Sequence, residues 1–102
     1  IFVISEMGFR NVNLSYAVMV NAELKNQDFM NSNFTNANLT NAILTGVNLT
    51  YADFTGANLS GAELTDVDLT DAEINNTDLT NVIWQNTICP DGTNSDSNGG
   101  FC

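Results

Sequence analysis

The chain has 102 residues, two basic side chains (Arg10 and Lys25), twelve acidic ones, no histidine, one proline and two cysteines, for a formal charge of -10. That length holds one small domain. The absence of histidine removes most general acid–base schemes, and the negative charge excludes direct binding to nucleic acid or to an anionic membrane, which needs a basic surface. In chain order, the opening Ile1-Phe2-Val3-Ile4 is too short and lacks the basic flank of a signal peptide. No apolar run approaches the roughly 18 residues of a membrane span. A first residue other than Met reads as a mature or trimmed product. Residues 1–6 are expected to form a degenerate first repeat, with Phe2 and Ile4 at its two inward positions.

From Phe9 onward every fifth residue is large and apolar: Phe9, Leu14, Met19, Leu24, Phe29, Phe34, Leu39, Leu44, Leu49, Phe54, Leu59, Leu64, Leu69, Ile74, Leu79 and Trp84. With 43% apolar residues, chance would produce sixteen in a row about once in a million trials. Two residues before each runs a second column that starts at Met7 and is otherwise mostly Ala or Val, with Gln27, Ser32 and Thr77 as polar exceptions. A helix would scatter a five-residue period around its axis, and a flat strand would send alternate members to opposite faces. The period instead predicts a short extended side that turns every five residues, with small and large residues inward and the residue between them outward. Thr or Ser usually follows the large residue. Then comes Asn, Gly or Asp, as at Asn36, Asn41, Gly46, Gly56, Gly61, Asp66 and Asp71. These types tolerate positive φ at a corner.

Segments such as Ala37-Asn38-Leu39-Thr40-Asn41, Ala57-Asn58-Leu59-Ser60-Gly61 and Ala62-Glu63-Leu64-Thr65-Asp66 resemble the A-(D/N)-L-x-x signature of the pentapeptide-repeat proteins. The resemblance covers residues 7–86 without an insertion. It implies an all-β fold, a right-handed quadrilateral β-helix of about four coils with four pentads per turn. Residues twenty apart should then stack, giving inner ladders Phe9–Phe29–Leu49–Leu69, Leu14–Phe34–Phe54–Ile74 and Leu24–Leu44–Leu64–Trp84. The inward Gln27 and Ser32 need partners, and are expected to bond each other or nearby backbone.

At the C-terminal end Trp84 is expected to cover the last coil, and residues 87–102 to form a cap loop. Cys89 and Cys102 bracket a Gly/Asn/Ser/Asp stretch and read as a disulfide staple worth about 3 kcal/mol. A disulfide implies an oxidising compartment. The ending also resembles that of exported bacterial, cyanobacterial and chloroplast-lumen members, which points to periplasm, cell exterior or thylakoid lumen. Asn94-Ser95-Asp96-Ser97-Asn98-Gly99 resembles the first half of a calcium loop, but it begins with Asn and has no twelfth-position Glu. It reads as an Asx-rich turn, and no metal or cofactor is expected. The glycosylation-like triplets at Asn33, Asn38, Asn48 and Asn58 arise from the repeat itself and are discounted.

Two outward features bear on function. Glu63, Asp66, Asp68, Asp71, Glu73 and Asp78 fall within one coil and wrap around several faces rather than stacking in columns. The best-known activity implied by the resemblance is mimicry of duplex DNA by acidic members that bind type II topoisomerases. One acidic band is a poor copy of phosphates spread along a duplex, and no dimerising helix is present. Tyr16, Val18, Val20 and Met30 point outward as an apolar interruption, either covered by the N-terminal segment or serving as a docking surface. An enzyme is not expected, because a convex rod with three-residue sides has no cleft for a carboxylate pair. The sequence thus predicts a non-catalytic structural or protein-interaction module, monomeric or weakly dimeric, with an unidentified protein partner. A topoisomerase-binding DNA mimic is the alternative.

Overall fold

A computed structural model describes the backbone of residues 3–5 and the whole of residues 8–102. Phe2, one of the two inward positions of the expected first repeat, lies outside the described residues, as do Ile1, Glu6 and Met7. The chain winds into a right-handed quadrilateral β-helix, 30 × 24 × 21 Å. Its named strands are short: β1 (Val3–Ser5), β2 (Glu23–Lys25), β3 (Glu63–Thr65) and β4 (Ile83–Gln85). β1 pairs in parallel with β2, with Ile4 opposite Leu24; β3 pairs in parallel with β4, with Leu64 opposite Trp84. Elsewhere the coils are joined by single parallel bridges at a constant offset of twenty, such as Asn38↔Asn58 and Asn58↔Asp78. We number the four faces by their large residues: face one carries Phe9, Phe29, Leu49 and Leu69; face two Leu14, Phe34, Phe54 and Ile74; face three Met19, Leu39, Leu59 and Leu79; face four Leu24, Leu44, Leu64 and Trp84.

One pentad accounts for the whole composition. Ala37 N–H closes the preceding corner on Phe34 O (3.0 Å), Asn38 N–H reaches back one coil to Ala17 O (2.8 Å), and Leu39 and Asn41 N–H reach forward to Asn58 O and Ser60 O (2.7 and 2.9 Å). The fifth donor, Thr40 N–H, points to no strand and is taken by Asn38 Oδ1, which also accepts from Thr40 Oγ1 (3.1 and 2.6 Å). Every backbone N–H of the pentad is thereby satisfied. The same clip joins Asn13 to Ser15, Asn33 to Thr35, Asn48 to Thr50, Asp53 to Thr55, Asn58 to Ser60 and Asp68 to Thr70. The Asn/Thr excess is backbone satisfaction, and the glycosylation-like triplets are these clips.

All sixteen corner residues from Asn11 to Asn86 have positive φ, between 48° and 73°. In three corner stacks a Gly sits one coil above an Asn. A Cβ on Gly46 (φ +71°) would sit 2.2 Å from Asn26 Oδ1, and Gly56 and Gly61 meet Asn36 and Asn41 in the same way. Gly46→Ala is therefore expected to cost about 1–2 kcal/mol, combining left-handed strain with displacement of the Asn26 amide. Removing that amide in an Asn26→Ala background should recover part of the loss in a urea titration; strict additivity would show that the contact is unimportant.

The core is continuous from Met19 to Ala72. Phe9 stacks on Phe29 (centroids 5.2 Å) and Phe34 on Phe54 (4.9 Å), as the twenty-residue ladders require, while Phe29 meets Phe34 edge-on at 5.4 Å. The buried polar residues bond backbone. Gln27 Nε2 donates to Lys25 O (2.7 Å). Ser32 Oγ donates to Phe9 O (2.9 Å) and accepts from Val12 N–H (3.2 Å), bridging an opened corner in the coil below. Thr77 and Thr87 hydroxyls donate in the same way to carbonyls 23 residues earlier, Phe54 O and Leu64 O.

The coil continues past residue 86 by one side. Ile88 pairs with Asp68, Leu69 N–H donates to Ile88 O, and Asp71 N–H to Pro90 O. The chain then doubles back, with Ile88 antiparallel to Asn94, into a 3-10 helix (Ser95–Ser97) capped by Asn94 Oδ1. Ser95 is fully buried: its N–H donates to Thr87 O (2.8 Å) and its Oγ accepts from Thr87 N–H (3.1 Å). Cys89 and Cys102 form the expected disulfide. Trp84 lies half-buried at the end of the core, so the loop around Ser95 covers one corner of the last coil that Trp84 alone leaves open.

Candidate functional site

The outward residues fall at two ends of the solenoid. At the N-terminal end, Tyr16 occupies the corner between faces two and three, with φ of 61°, and is 74% exposed. Val18 (80% exposed) and Val20 (39%) come next on face three of the same coil. Their neighbours one coil on are Asn38 and Thr40, so the apolar strip is one coil deep. Met30 is half-buried at the end of face one in the next coil, with face two between it and this strip. A second corner tyrosine, Tyr51, is 59% exposed with φ of 61° between faces one and two. The five-residue periodicity did not flag it, yet the signal was available: among the sixteen corners only Tyr16 and Tyr51 are neither Asn, Asp nor Gly. A bulky side chain in the left-handed region costs about 1–2 kcal/mol. Ile83 and Phe101 are also exposed and were not singled out from sequence.

The acidic band lies at the other end. Glu63 is on face four, Asp66 at the corner between faces four and one, and Asp68 on face one. Asp71 is at the next corner, Glu73 on face two and Asp78 on face three. The band circles all four faces, and its members are exposed or half-buried. Glu73 stacks on Asp53 of the coil below, so there the band extends along an axial column to a second carboxylate. Asp28 of face one is paired with Arg10 (2.6 Å). Burial pushes the Asp28 carboxyl up, but the Arg10 bond, the Met30 N–H and the Arg10 charge outweigh it and leave it below its ordinary value. Asp78 and Asp91 are also held low, by the hydroxyls of Thr80 and Thr93 and then by the same residues' N–H groups.

A depressed carboxylate stabilises the fold above its unfolded value and loses that contribution as pH falls through its folded value. The fold should thus weaken below the ordinary aspartate value of 3.8. Asp78→Asn keeps the clip without the charge. It should leave stability at pH 7 nearly unchanged and flatten the acid loss, measured by urea unfolding at pH 3 and pH 7; an unaltered acid profile would refute that assignment.

Beside the band, a shallow cavity of about 260 Å³ is lined by Asp66, Val67, Asp68, Asn86, Ile88 and Asn94. Its amides are committed to one another: Asn94 Nδ2 donates to Asn86 Oδ1 (2.9 Å) and Asn86 Nδ2 to Asp66 Oδ1 (2.8 Å). Asp96, in the stretch that resembles a calcium loop, accepts from Asn86 N–H (3.0 Å). Among the described residues no group of three or more His, Cys, Asp or Glu side chains is arranged to hold a metal ion, and no helix is long and apolar enough to cross a membrane.

The repeat itself decides the family. Eight copies of the model described as pentapeptide repeats match residues 9–46 and 48–83. The chain belongs to the pentapeptide-repeat family. Among solved structures, a pentapeptide-repeat protein (Rfr23) from the cyanobacterium Cyanothece 51142 is 31% identical with a TM-score of 0.72, over 80% of this chain and 60% of that one. HetL, a pentapeptide-repeat protein involved in heterocyst differentiation regulation in the cyanobacterium Nostoc sp. strain PCC 7120, is 26% identical with a TM-score of 0.52, over 85% of this chain and 42% of its own. Trypsin-treated QnrB1, a plasmid-mediated fluoroquinolone resistance protein, has a TM-score of 0.74 over 78% of this chain and 42% of its own; at 24% identity that likeness is one of fold. The chain thus spans less than two thirds of the length of each. No curated protein matches it.

Proposed function

We propose that this pentapeptide-repeat chain is a non-catalytic protein-interaction module that presents rigid faces to a protein partner in an oxidising compartment. The observation that carries the reading is the Tyr16–Val18–Val20 strip, exposed on a coil whose other outward residues are polar. Exposed apolar side chains that are contiguous rather than scattered mark a contact surface. The clips make the display rigid: where an outward Asn or Asp Oδ1 is bound to the Thr or Ser two residues on, the amide nitrogen or second carboxylate oxygen is left to a partner. The Cys89–Cys102 disulfide supports export to periplasm, cell exterior or thylakoid lumen, where such bonds persist. Affinity capture from the native compartment should recover a protein with the wild type and lose it with Tyr16→Ser/Val18→Ser. Equal recovery with both would sink the reading.

A second reading, a DNA mimic that binds a type II topoisomerase, is favoured by one observation: residues 26–102 carry ten acidic side chains and no basic one. A supercoiling assay with purified gyrase decides it, since inhibition at micromolar chain supports mimicry and unimpaired supercoiling removes it.

A further inference from the structure

The C-terminal edge of the coil is only partly closed. The cap loop covers the end of faces four and one through Thr87, Asn86 and Ile88, and among the described residues no hydrogen bond joins it to residues 72–82 on faces two and three. Along that stretch, the N–H groups of Ile74, Asn76, Leu79 and Asn81 and the carbonyls of Ala72 and Thr77 have no partner among the described residues. One coil down, the equivalent groups of Phe54, Gly56, Leu59 and Gly61 and of Ala52 and Ala57 are all bonded to this coil. Thr77 N–H and Ile74 O also form an opened corner like the one Ser32 bridges below, here with nothing to bridge it. Behind the edge, Ile74, Leu79, Val82 and Trp84 are only partly buried. An exposed edge of this kind is a template for strand addition.

The charge around it is one-sided. Asp71, Glu73 and Asp78 are exposed and frame the edge, and no basic residue lies anywhere beyond Lys25. The first coil of a second copy is a poor occupant. Both ends are stepped, because β1 lies one level below face four and Ile88 one level above face one, and the cap loop obstructs the next side. We propose that residues 72–82 bind an extended, basic polypeptide segment that adds as a parallel strand. Its carbonyls accept from Ile74, Asn76, Leu79 and Asn81, its N–H groups donate to Ala72 and Thr77, and its Lys or Arg side chains meet Asp71, Glu73 and Asp78. The segment bends at the level of Asn76, where φ is 58°, and therefore carries Gly or Asn there. This surface is separate from the Tyr16 strip and stands or falls independently of it.

The probe is a blocked synthetic peptide of about ten residues, with inward isoleucines, outward lysines and a central asparagine. It is titrated into the intact chain, with Trp84, the sole tryptophan, as fluorescence reporter and calorimetry as a second readout. Saturable one-to-one binding is expected, weakened about tenfold or more in Asp71→Asn/Glu73→Gln/Asp78→Asn, whose side chains keep the local acceptors and hence the fold. The same peptide N-methylated at alternate residues has equal charge but cannot pair, and should not bind. Equal binding of the methylated peptide would reduce the effect to ion exchange and overturn the proposal, as would the absence of saturable binding.

Discussion

Phe54→Ala should lower the unfolding free energy by about 3–5 kcal/mol. Phe54 is fully buried, stacks on Phe34 at 4.9 Å, and sits in the third of four coils with a complete coil on either side. The size of the effect reflects how little the site can relax. The Phe54 carbonyl holds Ala57 N–H and the Thr77 hydroxyl, and its own N–H is committed to Glu73 O. The backbone cannot close over the void without breaking ladder bonds, so the cavity persists. Because each coil contacts only its neighbours, a weak third coil also uncouples the two halves of the stack. In urea, Leu14→Ala at the half-buried first coil should cost clearly less. Equal losses at both positions would show that the core is fluid rather than ladder-locked.

Cys89→Ala/Cys102→Ala is expected to remove about 3 kcal/mol, on the chain-entropy relation for the 13-residue separation. For a chain of this size that is a fall in Tm of roughly 10–20 °C. The loss should be graded along the rod. Ser95 and Thr87 are buried by the doubled-back loop, so their amides should exchange faster in the variant while those of Leu39 and Phe34 keep their protection relative to global unfolding. A Tm that does not move would mean that the hydrogen bonds between Thr87 and Ser95 and from Asn86 N–H to Asp96 hold the cap without the covalent link.

Much of the fold was legible in the residues. The column from Phe9 to Trp84 predicted the inward ladders, and the observed Phe9–Phe29 and Phe34–Phe54 stacks are its direct consequence. Asn, Gly and Asp at the corners predicted positive φ, and all sixteen corners have it. A local rule was enough because every pentad repeats the same pattern, one left-handed corner and often one clip, with its ladder partners at a constant offset in the neighbouring coils. What stayed illegible depended on partners twenty or more residues away. Ser32 reaches Phe9 O in the coil below, across 23 residues. Gly46 is set by the Asn26 side chain beneath it. Tyr51 carried a visible signal as a break in the corner column, one that sorting residues only into apolar and polar columns concealed.

Charge and composition change meaning once placed in space. Sequence alone determined the period, the inward ladder from Phe9 to Trp84, the Asn, Gly and Asp chemistry of the corners and the confinement of half the acids to one coil. It could do so because these depend on local backbone geometry repeated at a fixed interval. Only the tertiary structure decided that the cap loop folds back over the corner between faces four and one, leaving residues 72–82, beside Asp71, Glu73 and Asp78, with no strand above them among the described residues. That outcome rests on where the non-repeating residues 87–102 find their partners. A chain without periodicity has no local rule to fix its path; Thr87, Ser95 and the disulfide fix it instead.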